Sequence, residues 1–257
     1  MSAPTWTPDA LRSEAQPYNK PAWRLVEAQH HVSTLKLTDS LAEQELLEDI
    51  LEDTKPPVPS ECAHLDYLLA TPFRYRPYPH GSRFRRAGIT PGVWYGAEHP
   101  NTALAEMAFY RVLFYAESPD TPFPNTAADY TAFAVPVKTA TAVDLTSGEL
   151  AKDAAAWEHL TDYAPCQTLA ETARDIGAEA IRYRSVRDPD GGANVAVLTC
   201  TAFARAKPTQ RQTWRIRISA NGVQALCDHP RTAVEFPPDS FDADSRVAGM
   251  GWGREGI

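Results

Sequence analysis

Two periodicities run along the chain. Leu37, Leu41, Leu47, Ile50 and Leu51 recur at helical spacing, which predicts an amphipathic helix over residues 37–52. Ser40 and Glu43 fit a capping box at its start, and the proline-rich KPPVPSE stretch ends it. That helix either packs on the main domain or presents a face to a partner or a second copy. NTALAEMAFYRVLFYAE reads as a second helix, with His99 or Asn101 near its cap. Its apolar residues cover most of its circumference, which predicts burial on several sides. DYAPCQTLAETARDIG reads as a third helix, ending at Gly177.

The strand signals are shorter. GVWYGA is an apolar run between turn residues, and YTAFAVPVK, AVDLT and EAIRYRSVR read as strands. VAVLTCTAF is continuously apolar, as a strand buried on both faces is. In TWRIRISANGVQALC, Asn221-Gly222 between two alternating segments predicts a hairpin. FRYRPYP reads as a short extended piece ending in a turn, and DPDGGAN as a turn. Residues 1–20, polar and proline-rich, are expected to be loosely ordered, and the polar, glycine-containing stretch after Pro230 to form a tail. The class is α+β: a mixed β core with flanking helices and an N-terminal helical extension.

Composition removes several function classes. The 257 residues carry a formal charge of −8, opposite in sign to most nucleic-acid binders. No apolar run approaches the roughly 18 residues of a membrane span, and the N-terminus lacks the basic-then-apolar signature of a secretory signal. A cytoplasmic location without membrane contact is expected. Cys62, Cys166, Cys200 and Cys227 lack the spacing of a metal knuckle or redox pair, and are expected to be reduced thiols. His30-His31 is the one histidine cluster. No zinc motif, phosphate-binding loop, dinucleotide fingerprint or nucleophile elbow occurs, so neither a metal nor a bound cofactor is expected.

Chemistry concentrates between Arg74 and Ser185. Glu106 is a carboxylate inside an apolar helix, and it needs a partner there. Its alternatives are an ion pair with Arg74, Arg83 or Arg111, an exposed position, or a site. Arg83, Arg85 and Arg86 form a charge run that either coats a solvated face or binds an anion. If that run is extended, Phe84 on the core side turns Arg83 outward, unless a turn at Gly81 or Gly88 redirects it. Trp94 and Tyr95 point to opposite faces of one strand, so one packs in the core and the other is free to border a ring. Ser185 shares a strand face with Ile181 and Tyr183, as a satisfied buried serine or a site residue.

In order, Arg74-Tyr75, GSRF with Arg83, VWYGA with Tyr95, TALAEMAFY with Glu106 and YRSVRDPDGGANVAVL with Ser185 resemble the RES-domain family, over roughly residues 73–203. The first family arginine falls on Arg74 or Arg76, with Arg74 favoured because Tyr75 follows it. The resemblance implies an ADP-ribosyltransferase-like fold, with residues 66–230 as the catalytic domain, 1–65 as an extension and 231–257 as a tail. It also implies a bacterial toxin paired with a Xre-type helix-turn-helix antitoxin. The activities it implies are NAD breakdown by hydrolysis or phosphorolysis, and ADP-ribosylation of a protein.

NAD chemistry suits these residue types. Nicotinamide is already cationic and leaves as a neutral ring, so no general acid is required and a single carboxylate suffices, unlike ordinary glycoside hydrolysis. By the resemblance, Glu106, Arg83 and Ser185 are catalytic, and Arg74, Tyr75 and Tyr95 bind NAD. Inorganic phosphate is a candidate co-substrate. A protein-directed mono-ADP-ribosyltransferase and a non-catalytic interaction protein of the same fold remain the alternatives. A nucleic-acid binder through FRYRPY and RFRR is weighed against the acidic charge. Direct nucleic-acid contact is not expected, and whether the chain forms a homo-oligomer stays open.

Overall fold

The computed structural model describes residues 6–27, 37–75 and 79–254. Arg76 and the His30-His31 pair lie outside the described residues. The fold is α+β, as expected, and built on one mixed sheet.

Strand β1, Gln16–Glu27, runs antiparallel to β3, Ala128–Asp144, from Gln16 opposite Ala142 to Glu27 opposite Tyr130. β3 has two partners along its other edge. Residues Ala128 to Ala134 pair with β6, Gln210–Ser219, and residues Ala142 to Asp144 pair in parallel with β4, Ala180–Arg184. β4 pairs with β5, Ala193–Val197, and β5 with β2, Trp94–Ala97. β2 returns to β1 through Trp23 and Ala97. The ring β1–β2–β5–β4–β3 therefore closes on itself. From the far half of β3, β6 continues into β7, Gly222–Cys227, and β8, Thr232–Phe236.

Every residue of β5 is buried, the polar Asn194 included; the apolar run that starts at Val195 leaves the sheet after Val197, and Cys200–Ala202 form a 3-10 turn. YTAFAVPVK and AVDLT, read as separate strands, are one strand. Thr139, Ala140 and Thr141 between them are small or β-branched and stay extended in β3. The hairpin is where the sequence puts it, one residue early. Ser219 pairs with Gly222, the loop is Ala220-Asn221, and Gly222 takes the positive φ of +100° that favours glycine.

Six α-helices occur among the described residues. α1, Pro8–Glu14, is capped by Thr7 and anchored by the fully buried Leu11. α2 is Leu41–Asp53, α3 Tyr67–Arg74, α4 Pro100–Glu117, α5 Ala154–Trp157 and α6 Ala164–Asp175. α4 buries nine residues against Trp23, Leu25 and the β6–β8 meander, in agreement with its all-round apolarity. α6 ends before Gly177, whose φ is +75°.

Four expectations are corrected. Of residues 1–20, expected to be loosely ordered, Pro8–Glu14 form α1 and the chain from Gln16 onward forms β1. Pro17 and Pro21 break helical but not extended structure, and the chain supplies the strand that closes the ring. Residues after Pro230 are not a tail, since β8 extends the sheet and Phe241 and Val247 enter the core. The sheet thus crosses both expected domain boundaries. Phe73 and Arg74 end a helix that Asp66 caps, so the start of FRYRPYP is not extended. α2, for which packing on the domain and a presented face were both open, buries none of its residues; Leu41 is 75 % exposed and Ile50 52 %. Finally, Cys62 and Cys200 form a disulfide with Cα atoms 5.6 Å apart, because the 3-10 turns that carry them pack together. Cys166 and Cys227 are free and buried.

Candidate functional site

The opening of β2 divides two neighbouring aromatics. Trp94 is fully buried in the core inside the ring, and its indole N–H donates to Leu68 O at 3.2 Å. Tyr95 points the other way, into a cavity of about 240 Å³. Its hydroxyl lies 2.8 Å from Ser82 Oγ and accepts from Phe84 N at 3.1 Å.

Those bonds hold a tight turn. Ser82 and Arg85 exchange backbone hydrogen bonds at 2.8 and 3.1 Å, with Arg83 and Phe84 at the corners. Gln167 Nε2 donates to Ser82 O and Arg85 O from below. The run is a turn rather than a strand, so alternation does not apply and Arg83 and Phe84 are both buried. The Arg83 guanidinium donates to Trp157 O and lies 4.6 Å from the Tyr163 ring centroid. No carboxylate pairs with it among the described residues. Arg86 instead pairs with Glu171, and Arg85 bonds His80 O, so Arg83 alone of the run lines the cavity.

Glu106 sits on α4 at the cavity wall. Its Oε1 accepts from Ser185 Oγ and from Asn194 Nδ2, both at 2.7 Å. Among the described residues no donor meets Oε2, and Glu106 forms no ion pair. Ser185 Oγ also accepts from the backbone N–H groups of Arg187 and Asp188 at 3.2 and 3.1 Å. Asp188 then accepts from Thr102 Oγ1 at 2.7 Å, which ties the loop after β4 to the first turn of α4. Gly192 makes this approach feasible, because a Cβ there would meet Thr102 Oγ1 at 2.2 Å.

Two further arginines line the cavity. Arg24, on β1 between the buried Trp23 and Leu25, has neither a carboxylate nor a hydrogen-bond partner among the described residues. It lies 5.6 Å from the Trp94 ring centroid, and burial lowers its pKa to about 10. Arg187 is neutralised. Its guanidinium meets the fully buried Asp244 at 2.7 Å and stacks 3.7 Å from the Phe109 centroid. Burial opposes charge on Asp244, but hydrogen bonds from Arg246 and the charge of Arg187 prevail and hold its pKa at about 2.

Tyr110, Tyr163 and Tyr183 complete the walls. Burial first, then Glu106, push the Tyr183 phenol well above its ordinary range, so it stays a donor.

The expected residues therefore divide. Arg83, Tyr95 and Glu106 line the cavity, and Ser185 stands directly behind Glu106. Arg74 and Tyr75 do not line it. Arg74 pairs with Glu52 at 2.5 Å and donates to Pro56 O, so it fastens α2 and the proline segment to α3. Arg24, Asn194 and Arg187 are at the cavity without having been singled out. The signal for Arg24 was a lone cation alternating with Trp23 and Leu25. Among the described residues, no group of three or more His, Cys, Asp or Glu could hold a metal, and no helix is long and apolar enough to cross a membrane.

The sequence model of the family described as "RES domain" matches residues 58–219. The fold is similar to a solved structure described as "Crystal structure of the M.tuberculosis MbcT-MbcA toxin-antitoxin complex". Identity there is 14 % and the TM-score 0.42, over 91 % of this chain and 92 % of that chain. No curated protein matches the chain.

Proposed function

The chain belongs to the RES-domain family, and from that premise we propose that it is a toxin enzyme that breaks the nicotinamide–ribose bond of NAD. The observation that carries this reading is the pairing of charges in one cavity. Glu106 offers a single unpaired carboxylate oxygen, and Arg24 and Arg83 offer two cations without carboxylate partners among the described residues.

Each group has a role in that reaction. Arg24 and Arg83 take the pyrophosphate, for which permanently charged, bidentate donors are suited. Arg24 replaces Arg74, which is spent on Glu52. The tyrosine walls border the nicotinamide ring, whose positive charge they favour. The C–N bond breaks with its electron pair going to the ring nitrogen, and neutral nicotinamide leaves. The ribose carbon gains oxocarbenium character, which the nearby Glu106 carboxylate stabilises electrostatically. Water or inorganic phosphate then attacks that carbon through oxygen, giving ADP-ribose or its phosphate ester. Ser185 and Asn194 fix the carboxylate before the charge develops.

A toxin of this kind is held in check by an antitoxin, of the Xre helix-turn-helix type in this family, seated over the cavity mouth. The exposed Tyr110 and Phe114, one helical turn apart on α4, support that placement.

The test is NAD loss by the purified protein with and without inorganic phosphate, beside Glu106→Gln and Arg24→Ala. Loss with the wild type alone supports the reading, and phosphate dependence identifies the acceptor. An inert wild type overturns it and directs the search to ADP-ribosylation of protein targets.

A further inference from the structure

Asn194 is buried, lines the cavity, and has one satisfied end. Its neighbour fixes its orientation. Glu106 Oε1 accepts only, so the group 2.7 Å from it is the amide Nδ2 and the other end is the carbonyl Oδ1. That oxygen is buried and, among the described residues, has no hydrogen-bond partner. A buried acceptor left unmatched costs free energy that a donor entering the cavity restores.

The second acceptor is on the same pair of side chains. Glu106 Oε1 is already filled by Ser185 and Asn194, so Oε2 is the carboxylate oxygen left for a ligand. Both acceptors are thus carried by mutually bonded side chains that line the cavity. Such a pair complements two O–H donors on adjacent carbons.

We propose that Asn194 is a specificity-determining residue that reads the ribose next to nicotinamide: its Oδ1 accepts from one hydroxyl of the vicinal diol while Glu106 Oε2 accepts from the other. The assignment rests on the NAD reading of the cavity and extends it to a residue outside that reading's charge pair. It makes the complete diol a requirement of the substrate. A sugar lacking the hydroxyl that Asn194 reads leaves the oxygen orphaned and is rejected.

The test is a cycle of kcat/KM values. NAD and two analogues, lacking either the 2- or the 3-hydroxyl of the nicotinamide ribose, are compared on the wild type and on Asn194→Ala. Intrinsic reactivity of each analogue cancels in the cycle. So does any loss of folded protein, because each ratio is taken within one preparation. If Asn194→Ala does not fold, Asn194→Ser supplies the same cycle. The expected result is that the variant loses at least about tenfold of the discrimination against one analogue, and none against the other. Equal discrimination in wild type and variant overturns the proposal, and leaves Asn194 as a support for Glu106 alone. A wild type that consumes neither NAD nor the analogues overturns the NAD reading, and this assignment with it.

Discussion

The Ser185 hydroxyl donates to Glu106 Oε1 at 2.7 Å while two backbone N–H groups donate to it. The serine therefore relays the rigid loop after β4 to the carboxylate, and does not itself line the cavity. Ser185→Ala is expected to lower kcat for NAD about 10- to 100-fold with little change in KM, since a hydrogen bond to a charged group is lost. Steady-state kinetics beside a thermal unfolding curve check this. A KM effect with unchanged kcat would instead place Ser185 on the substrate.

In the proposed reaction Arg24 takes the role expected of Arg74. Arg24→Ala is expected to raise KM for NAD at least tenfold, through loss of a bidentate phosphate contact. Arg74→Ala should leave both kinetic constants near wild type, because its carboxylate partner lies on α2, away from the cavity. Parallel kinetics on the two variants decide the matter.

Asp244 gives the fold an acid-sensitive clamp. Its pKa falls from 3.8 to about 2 on folding, so its contribution is present above the unfolded pKa and is lost as pH falls through the folded one. The shift corresponds to about 2 kcal/mol. Urea unfolding at pH 7 and pH 2.5 should show Asp244→Asn destabilised at the higher pH and much closer to wild type at the lower one.

The exposed leucines of α2 make a prediction of near-neutrality. Leu41→Ser and Ile50→Ser should change stability by no more than about 0.5 kcal/mol, because neither side chain is buried on folding. A drop of several degrees in Tm for either would mean that this face is covered in solution.

The Cys62–Cys200 bond spans a sequence separation of 138 residues. Reduction, or Cys200→Ser, is expected to lower stability by about 2–4 kcal/mol, read from denaturation with and without reductant. Identical midpoints under both conditions would refute this.

The sequence displays what local physics controls. Helix Pro100–Glu117 and strand Ala193–Val197 announce themselves by period and apolar run, and Glu106 stands out as a carboxylate within the first. Arg24 and Asp244 did not, because their meaning comes from partners far along the chain. Arg24 sits in a proline-bearing stretch whose strand partner, β3, begins a hundred residues later. Asp244 sits in polar sequence whose structure depends on Arg187 and Arg246. Arg74 misled because its neighbour Tyr75 fitted a pattern, while its own partner Glu52 lay on a different helix, 22 residues earlier.

Closure of the ring by β1, and the pairing of the cavity's Arg187 with Asp244, give the site a temporal property. One wall residue comes from near the start of the chain, the carboxylate and its supports from the middle, and the clamp on Arg187 from near the end. Contacts so far apart form late in folding. A chain still emerging from the ribosome carries Glu106 before Ser185 and Asn194 exist to hold it, and Arg187 before its counter-charge. The cell that makes this protein is therefore not exposed to the assembled cavity until synthesis has passed Asp244, which leaves the duration of translation for a partner to be in place.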